Sequence, residues 1–213
     1  MPFGPAEGEN IGLTYGYDIY LPPRNVAGAL LRLAEPGPPT RDVPPLEVTL
    51  PGGDRILLPY TSRFEREPVD CSRSDTLHLD TSIMFDADDT VREYAEECGH
   101  EVGEDGRVQI GYVYLTVRFR SSLHPGYASM DFWAASSRMS RLFARSARVR
   151  EVFTGLAAAS GGVCCLFDTG DGGPEQVCWV NGETPQEMLG SPRFPDRQAL
   201  VATWPDPDDG GRA

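Results

Sequence analysis

Apolar residues recur along this chain in two rhythms, every second residue and every third or fourth, and the switches between them outline its elements. Thr14–Leu21 (TYGYDIYL) has the aromatic and β-branched content of a strand, and Pro22 and Pro23 stop it. Val26, Leu30 and Leu33, with Ala27, Leu31 and Ala34, predict a helix over 24–35. Its early proline sits where first-turn N–H groups have no intrahelical partner. Leu46–Leu50 and Arg55–Tyr60 flank Pro51-Gly52-Gly53-Asp54, a hairpin signature in which glycine supplies a positive φ. In Thr76–Phe85, Leu77, Leu79, Ile83 and Phe85 share one face and His78, Asp80 and Ser82 the other, as in a half-buried strand. Thr90-Val91-Arg92-Glu93 reads as a capping box that opens a short acidic helix to about Cys98.

After a turn at Gly103–Gly106 comes the strongest strand pattern of the chain, Arg107–Arg120, and Tyr127–Trp133 predicts another. Met139, Leu142 and Phe143 predict a helix over 135–145. Val149, Val152, Phe153, Leu156 and Ala157 predict a second, either separate or continuous with the first, ended by Gly161-Gly162. A second hairpin follows in Val163–Thr169 and Glu175–Val180, and Asp196–Trp204 predicts a small closing helix. The expected class is α+β, an antiparallel or mixed sheet with helices packed on one side. The order strand, helix, hairpin occurs over 14–60 and again over 107–180, so a duplicated unit is an alternative route to the same pattern. One domain is expected over 14–204, between a flexible N-terminal tail, 1–13, and a flexible acidic tail, 205–213.

Composition narrows the function classes. The 213 residues carry 19 basic and 32 acidic side chains, a net charge of −13, and every basic residue apart from histidine is arginine. Such a surface repels phosphate backbones, so no nucleic-acid partner is expected. The longest uncharged run, Val152–Phe167, falls short of the roughly 20 apolar residues that span a bilayer, and the N-terminus lacks a signal-peptide pattern. Five cysteines, an odd count without CxxC spacing, argue against a disulfide scaffold. The excess of Arg, Ala, Gly, Pro and Asp fits a high-GC bacterial coding sequence. The expected setting is a reducing bacterial cytoplasm.

Each candidate for chemistry has a plainer structural reading beside it. A hairpin turning at Asp171-Gly172 would set Cys165 directly opposite Cys178, close enough for a strained disulfide, although small thiols also fill cores and both are expected reduced. No Cys or His spacing of the zinc-finger kind occurs, so no metal is expected. His78 and Asp80 share a strand face, with Asp86, Asp88 and Asp89 just beyond. They could form a hydrolytic or divalent-cation site, yet Asp88 and Asp89 also suit the first turn of a helix. No Gly-x-Ser-x-Gly elbow, dinucleotide fingerprint or P-loop is present, so no cofactor is expected. Arg138, Arg141, Arg145 and Arg148 form one helical stripe, and residues 132–150 hold no acid. Residues 86–105 hold nine acids and one arginine. The stripe could grip an anionic ligand or partner, or pair with that acidic segment.

The phrases YGYDIYLPPRNV, CSRSDTLHLDTSIMFD and ASGGVCCLFDT resemble a group of uncharacterised actinobacterial proteins over most of the chain. The resemblance implies a bacterial cytosolic setting and carries no residue role. The expected function is a non-catalytic binding or regulatory protein with a protein partner, of which immunity-like proteins are one class, acting by charge complementarity. The alternative is an enzyme working through His78 and Asp80.

Overall fold

The computed structural model describes residues 13–38, 45–58, 67–170 and 172–207. Its strands, in chain order, are β1 (Gly16–Leu21), β2 (Leu46–Thr49), β3 (Arg55–Leu58), β4 (Val69–Asp70), β5 (Thr76–Asp86), β6 (Arg107–Arg118), β7 (Ala128–Ala134), β8 (Cys164–Asp168), β9 (Gln176–Val180) and β10 (Glu187–Met188). The helices are α1 (Val26–Arg32), which follows a 3₁₀ turn at Pro23–Asn25, α2 (Asp89–Cys98), α3 (Ser137–Arg145), α4 (Ala147–Ala159) and α5 (Arg197–Val201). Seven strands form one antiparallel sheet in the order β10-β9-β8-β1-β7-β6-β5, and β3-β2-β4 form a small mixed sheet. The class is α+β.

The first strand of the chain is thus the middle strand of the sheet. All six of its residues are buried, whereas β6 alternates between buried and exposed positions. Because β7 and β8 flank β1, the chain between them, α3 and α4, must cross over β1. That crossing builds the core. Tyr17 of β1 stacks on Phe153 of α4 with ring centroids 4.6 Å apart, and Phe153 also meets Phe85, Phe132 and Phe143. The Tyr17 hydroxyl donates to the Phe143 carbonyl at 3.0 Å, so its one polar atom is satisfied inside the apolar layer. Apolar side chains of α1, α2, α3 and α4 join this inner cluster, together with those of the small sheet. A second cluster covers the outer face over β8, β9 and part of β1, where Phe194, Leu200 and Trp204 lie against Tyr20, Cys164, Leu166, Val177 and Val180.

Several sequence expectations are corrected. The N-cap of α2 is Asp88, two residues before Thr90: its backbone is extended, and its Oδ1 accepts from the Val91 N–H at 2.8 Å. Helices α3 and α4 are separate because Ser146 is extended (φ −83°, ψ 124°); its Oγ accepts from Val149 N–H and donates to Asp88 Oδ2 at 2.7 Å. One carboxylate therefore caps α2 and anchors the cap of α4. The duplicated unit is not seen: the β2–β3 hairpin sits in the small sheet, while β8–β9 belong to the large one, beside β1. The expected acidic tail is held as far as Pro207, since Tyr127 Oη donates to Pro205 O and Arg24 to Pro207 O. Asp171, in the expected hairpin turn, lies outside the described residues, as do 1–12 of the N-terminal tail, Pro59 and Tyr60 of the first hairpin, and 208–213. The register of β5 and β6 slips by one residue between Ser82 and Met84, and Gly111 takes φ +100° in the bulge, which a residue with a Cβ would resist.

Phe153 is fully buried among four aromatic rings, so Phe153→Ala should lower stability in urea denaturation by about 3–5 kcal/mol. Leu57→Ala, at a largely exposed site, should change it by less than about 0.5 kcal/mol.

Candidate functional site

The strand register maps the outer face of the large sheet row by row. One row runs Asp80, Tyr114, Trp133, Gly16, Asp168 from β5 to β8. The next runs His78, Thr116, Asp131, Asp18, Leu166, Val177 from β5 to β9. The third runs Thr76, Arg118, Ser129, Tyr20, Cys164, Val180. Gly16 is required in the first, because a Cβ there would lie 2.6 Å from the Phe132 carbonyl oxygen and 2.9 Å from the Trp133 ring.

The middle row sets two carboxyl groups, Asp18 and Asp131, directly across from each other, and only 8% and 7% of their surfaces are exposed. Their surroundings differ. Asp131 Oδ2 accepts from Arg118 Nε at 2.9 Å. Asp18 Oδ1 is sealed from solvent and has no hydrogen-bond partner. Burial pushes the Asp18 carboxyl well above the ordinary aspartate range, and the charges of Asp131, Asp168 and Glu175 push it further. Asp131 is also raised by burial, but Ser129 and Arg118 oppose the shift. Burial and the surrounding carboxylates thus favour the protonated form of Asp18, against the opposing charge of Arg118.

A cleft of ≈ 640 Å³ opens where the start of α1, the β2–β3 turn, the loop after β4 and the segment after β6 meet. Arg24, Arg73 and Arg120 line it together with Asp54 and Asp75, above the buried ring of Phe119. Arg24 is spent on the Pro207 carbonyl. The side chains of Arg73, Arg120, Asp54 and Asp75 share the recess, yet no hydrogen bond or ion pair ties them to a described residue. Their charges surround the space instead of neutralising one another.

The residues singled out in the sequence fall elsewhere. His78 is exposed, with Nδ1 3.1 Å from Thr116 Oγ1, while Asp80, two residues on, is 1% exposed. Asp88 is committed to the two helix caps. Among the described residues, no three His, Cys, Asp or Glu side chains are grouped so as to hold a metal ion. The arginine stripe lies against α2: Arg145 pairs with Glu93 at 3.0 Å and Arg138 donates to the Glu97 carbonyl. Arg148 pairs within its own helix with Glu151, and Arg141 lines the narrow α2–α3 groove. Cys165 faces Trp179 rather than Cys178, because the strand pair slips by one residue and Cys178 becomes the extra residue of a bulge. Cys165 and Cys178 both enter the inner core, and Cys164 points to the outer cluster. Burial raises the Cys165 thiol and pushes Cys178 up to about 11, so neither is a ready thiolate at neutral pH.

Asp18 and Asp131 were missed as candidates, although each is a lone acid inside an otherwise apolar strand, GYDIYL and ASMDFWA. That was the available signal. Arg73, Arg120, Asp54 and Asp75 carried none, since three segments distant in sequence bring them together.

The folded-state pKa of Asp18 lies above its unfolded value of about 4, so the folded chain binds this proton more tightly. Its contribution to stability is complete below that value and falls as pH rises towards and through the folded pKa. Asp18→Asn should therefore raise stability at neutral pH by about 1 kcal/mol, with the gain vanishing in acid below pH of about 4. Chemical denaturation at a series of pH values checks this, and a loss of stability at neutral pH would contradict it.

Comparison with known proteins finds no matching family model, no similar curated protein and no similar solved structure.

Proposed function

We propose that the protein is a non-catalytic binding protein of the bacterial cytoplasm whose ligand, a small molecule bearing a phosphate or carboxylate group, is held in the arginine-lined cleft. The observation that carries this reading is the pairing of volume with charge: ≈ 640 Å³ of space with Arg73 and Arg120 on its walls, neither side chain held by a hydrogen bond or ion pair to a described residue, although Arg73 lies in the field of Asp70. Guanidinium groups present forked donors that match planar or tetrahedral anions, and here they stand out in a chain of net charge −13. Binding rather than chemistry is supported by the lining. It carries no cysteine or histidine, whereas Asp18, whose carboxyl is raised by burial, lies on the outer face of the large sheet and does not line the cleft. A site for catalysis would bring cleft and perturbed group together.

Phe119 and the prolines at 23, 51 and 125 give the recess stiff apolar walls, as small-molecule sites require. Asp54 and Asp75 would accept from hydroxyl or amine groups of the same ligand. The alternative, catalysis at His78 and Asp80, gains no support from their placement: one is exposed against Thr116 and the other is covered.

Calorimetric titration with inorganic phosphate should show millimolar or tighter binding. Arg73→Gln and Arg120→Gln should each weaken it by about tenfold, the weight of one charge-assisted hydrogen bond, at unchanged melting temperature. No heat of binding, or binding indifferent to both substitutions, would contradict the reading.

A further inference from the structure

Asp18 marks a seam on the outer face of the large sheet. On one side of it lie Asp131, Thr116 and His78; on the other lie Leu166 and Val177, which belong to the cluster roofed by Phe194, Leu200 and Trp204. The roof is the C-terminal segment 189–204, which follows the edge strand β10 and contains α5. Two contacts pin it close to the seam. Tyr20, the next residue after Asp18 on the same face, meets Trp204 with ring centroids 5.1 Å apart. Glu175 and Arg197 form a two-point ion pair, with Arg197 Nε 3.0 Å from Glu175 Oε2, that fastens α5 to the chain entering β9.

The charged and titratable groups around Asp18 come from every neighbouring element: Tyr20 on β1, Asp131 on β7, Arg118 on β6, Asp168 and Cys164 on β8, Glu175 before β9 and Arg197 on α5. Their pairing leaves one member over. Arg118 answers Asp131, Arg197 answers Glu175, and Asp168 accepts from the Gly170 N–H at 2.7 Å. Asp18 has no ion pair of its own, since Arg118 is paired with Asp131 and reaches Asp18 only through its field, and its Oδ1 has no donor although the residue is more than nine-tenths buried. The roof carries an orphan of its own, since the Trp204 indole N–H is buried without a hydrogen-bond partner. Both atoms would be satisfied by water, and water reaches the seam from the roofed side only when the roof lifts.

We infer that Asp18 and Asp131 form a one-proton pair, and that release of that proton loosens the C-terminal segment 189–204 from the sheet. While the proton is bound, the roofed state buries a neutral acid beside one paired carboxylate. Once it leaves, two carboxylates face each other across adjacent strands with the single cation Arg118 beside them and Asp168 and Glu175 nearby, and hydration relieves the surplus negative charge. Docking of the roof and retention of the proton are therefore linked. The docked state holds the proton more tightly, so raising the pH shifts the population towards the undocked one. The C-terminal segment is a pH-sensitive cover, and Asp18 is its sensor.

Amide hydrogen exchange, corrected for the intrinsic effect of pH, tests this on the full chain. From mildly acid to mildly alkaline pH, the amides of Leu189, Leu200 and Trp204 should lose protection by about tenfold, the change that one unit of pKa coupling produces, while those of α2 stay constant. Asp18→Asn should make the cover's protection independent of pH. Cover amides that do not respond to pH in the wild type, or that respond equally in Asp18→Asn, would overturn the proposal. Should Asp18→Asn fail to fold, fluorescence of a Trp133→Phe, Trp179→Phe variant, in which Trp204 is the one tryptophan, decides over the same range: a transition absent from the α2 amides supports the cover, and a flat profile overturns it.

Discussion

The constraint on which the structure depends is that the first strand of the chain occupies the middle of a seven-stranded sheet. With β7 on one edge and β8 on the other, β1 has no solvent-facing edge, and the layers above and below it cover both faces. The α3–α4 crossover must then pass over it, which is why Tyr17, Phe143 and Phe153 meet. The outer face needs a cover as well, and the C-terminal segment supplies it over half the sheet. A side chain placed on β1 is buried whatever its chemistry. Asp18 is buried by topology, and its unmet hydrogen bonds follow from that position.

Much of this fold was legible in the sequence because it was written in local periodicity. The alternation in Thr76–Phe85 and Arg107–Arg120 became β5 and β6, and the 3.6-residue spacing around Phe153 became α4. Local pattern failed where a tertiary partner decided the outcome. Ser146 divides two helices because Asp88, 58 residues earlier, offers its hydroxyl an acceptor. Cys178 was misplaced because a bulge shifts the register by one residue, which no two-residue turn rule reveals.

The candidate sites were harder to read for the same reason. A histidine two residues from an aspartate draws the eye, yet His78 and Asp80 differ entirely in exposure. The arginine stripe was conspicuous in sequence and is largely occupied by α2 and by its own helix, the role that its separation from an acidic segment also allowed. What the chain leaves unspent lies in places that only the assembled topology creates. Arg73 and Arg120 are solvated charges facing open space, where a ligand exchanges with water at little desolvation cost. Asp18 is the opposite case, a desolvated group whose smallest possible ligand is a proton. The two features ask different things of the molecule, recognition at the cleft and response at the seam.

Because the burial of the Asp18 carboxyl underlies both the cost of burying β1 and the response of its cover, the most direct measurement is the titration of its own carboxyl carbon. With ¹³C-labelled aspartate and resonance assignment through Asp18→Asn, the Asp18 signal should keep its protonated shift well above the pH at which exposed aspartates such as Asp105 ionise. An Asp18 carboxyl that titrates together with the exposed aspartates would contradict the neutral, partnerless acid at the centre of the sheet.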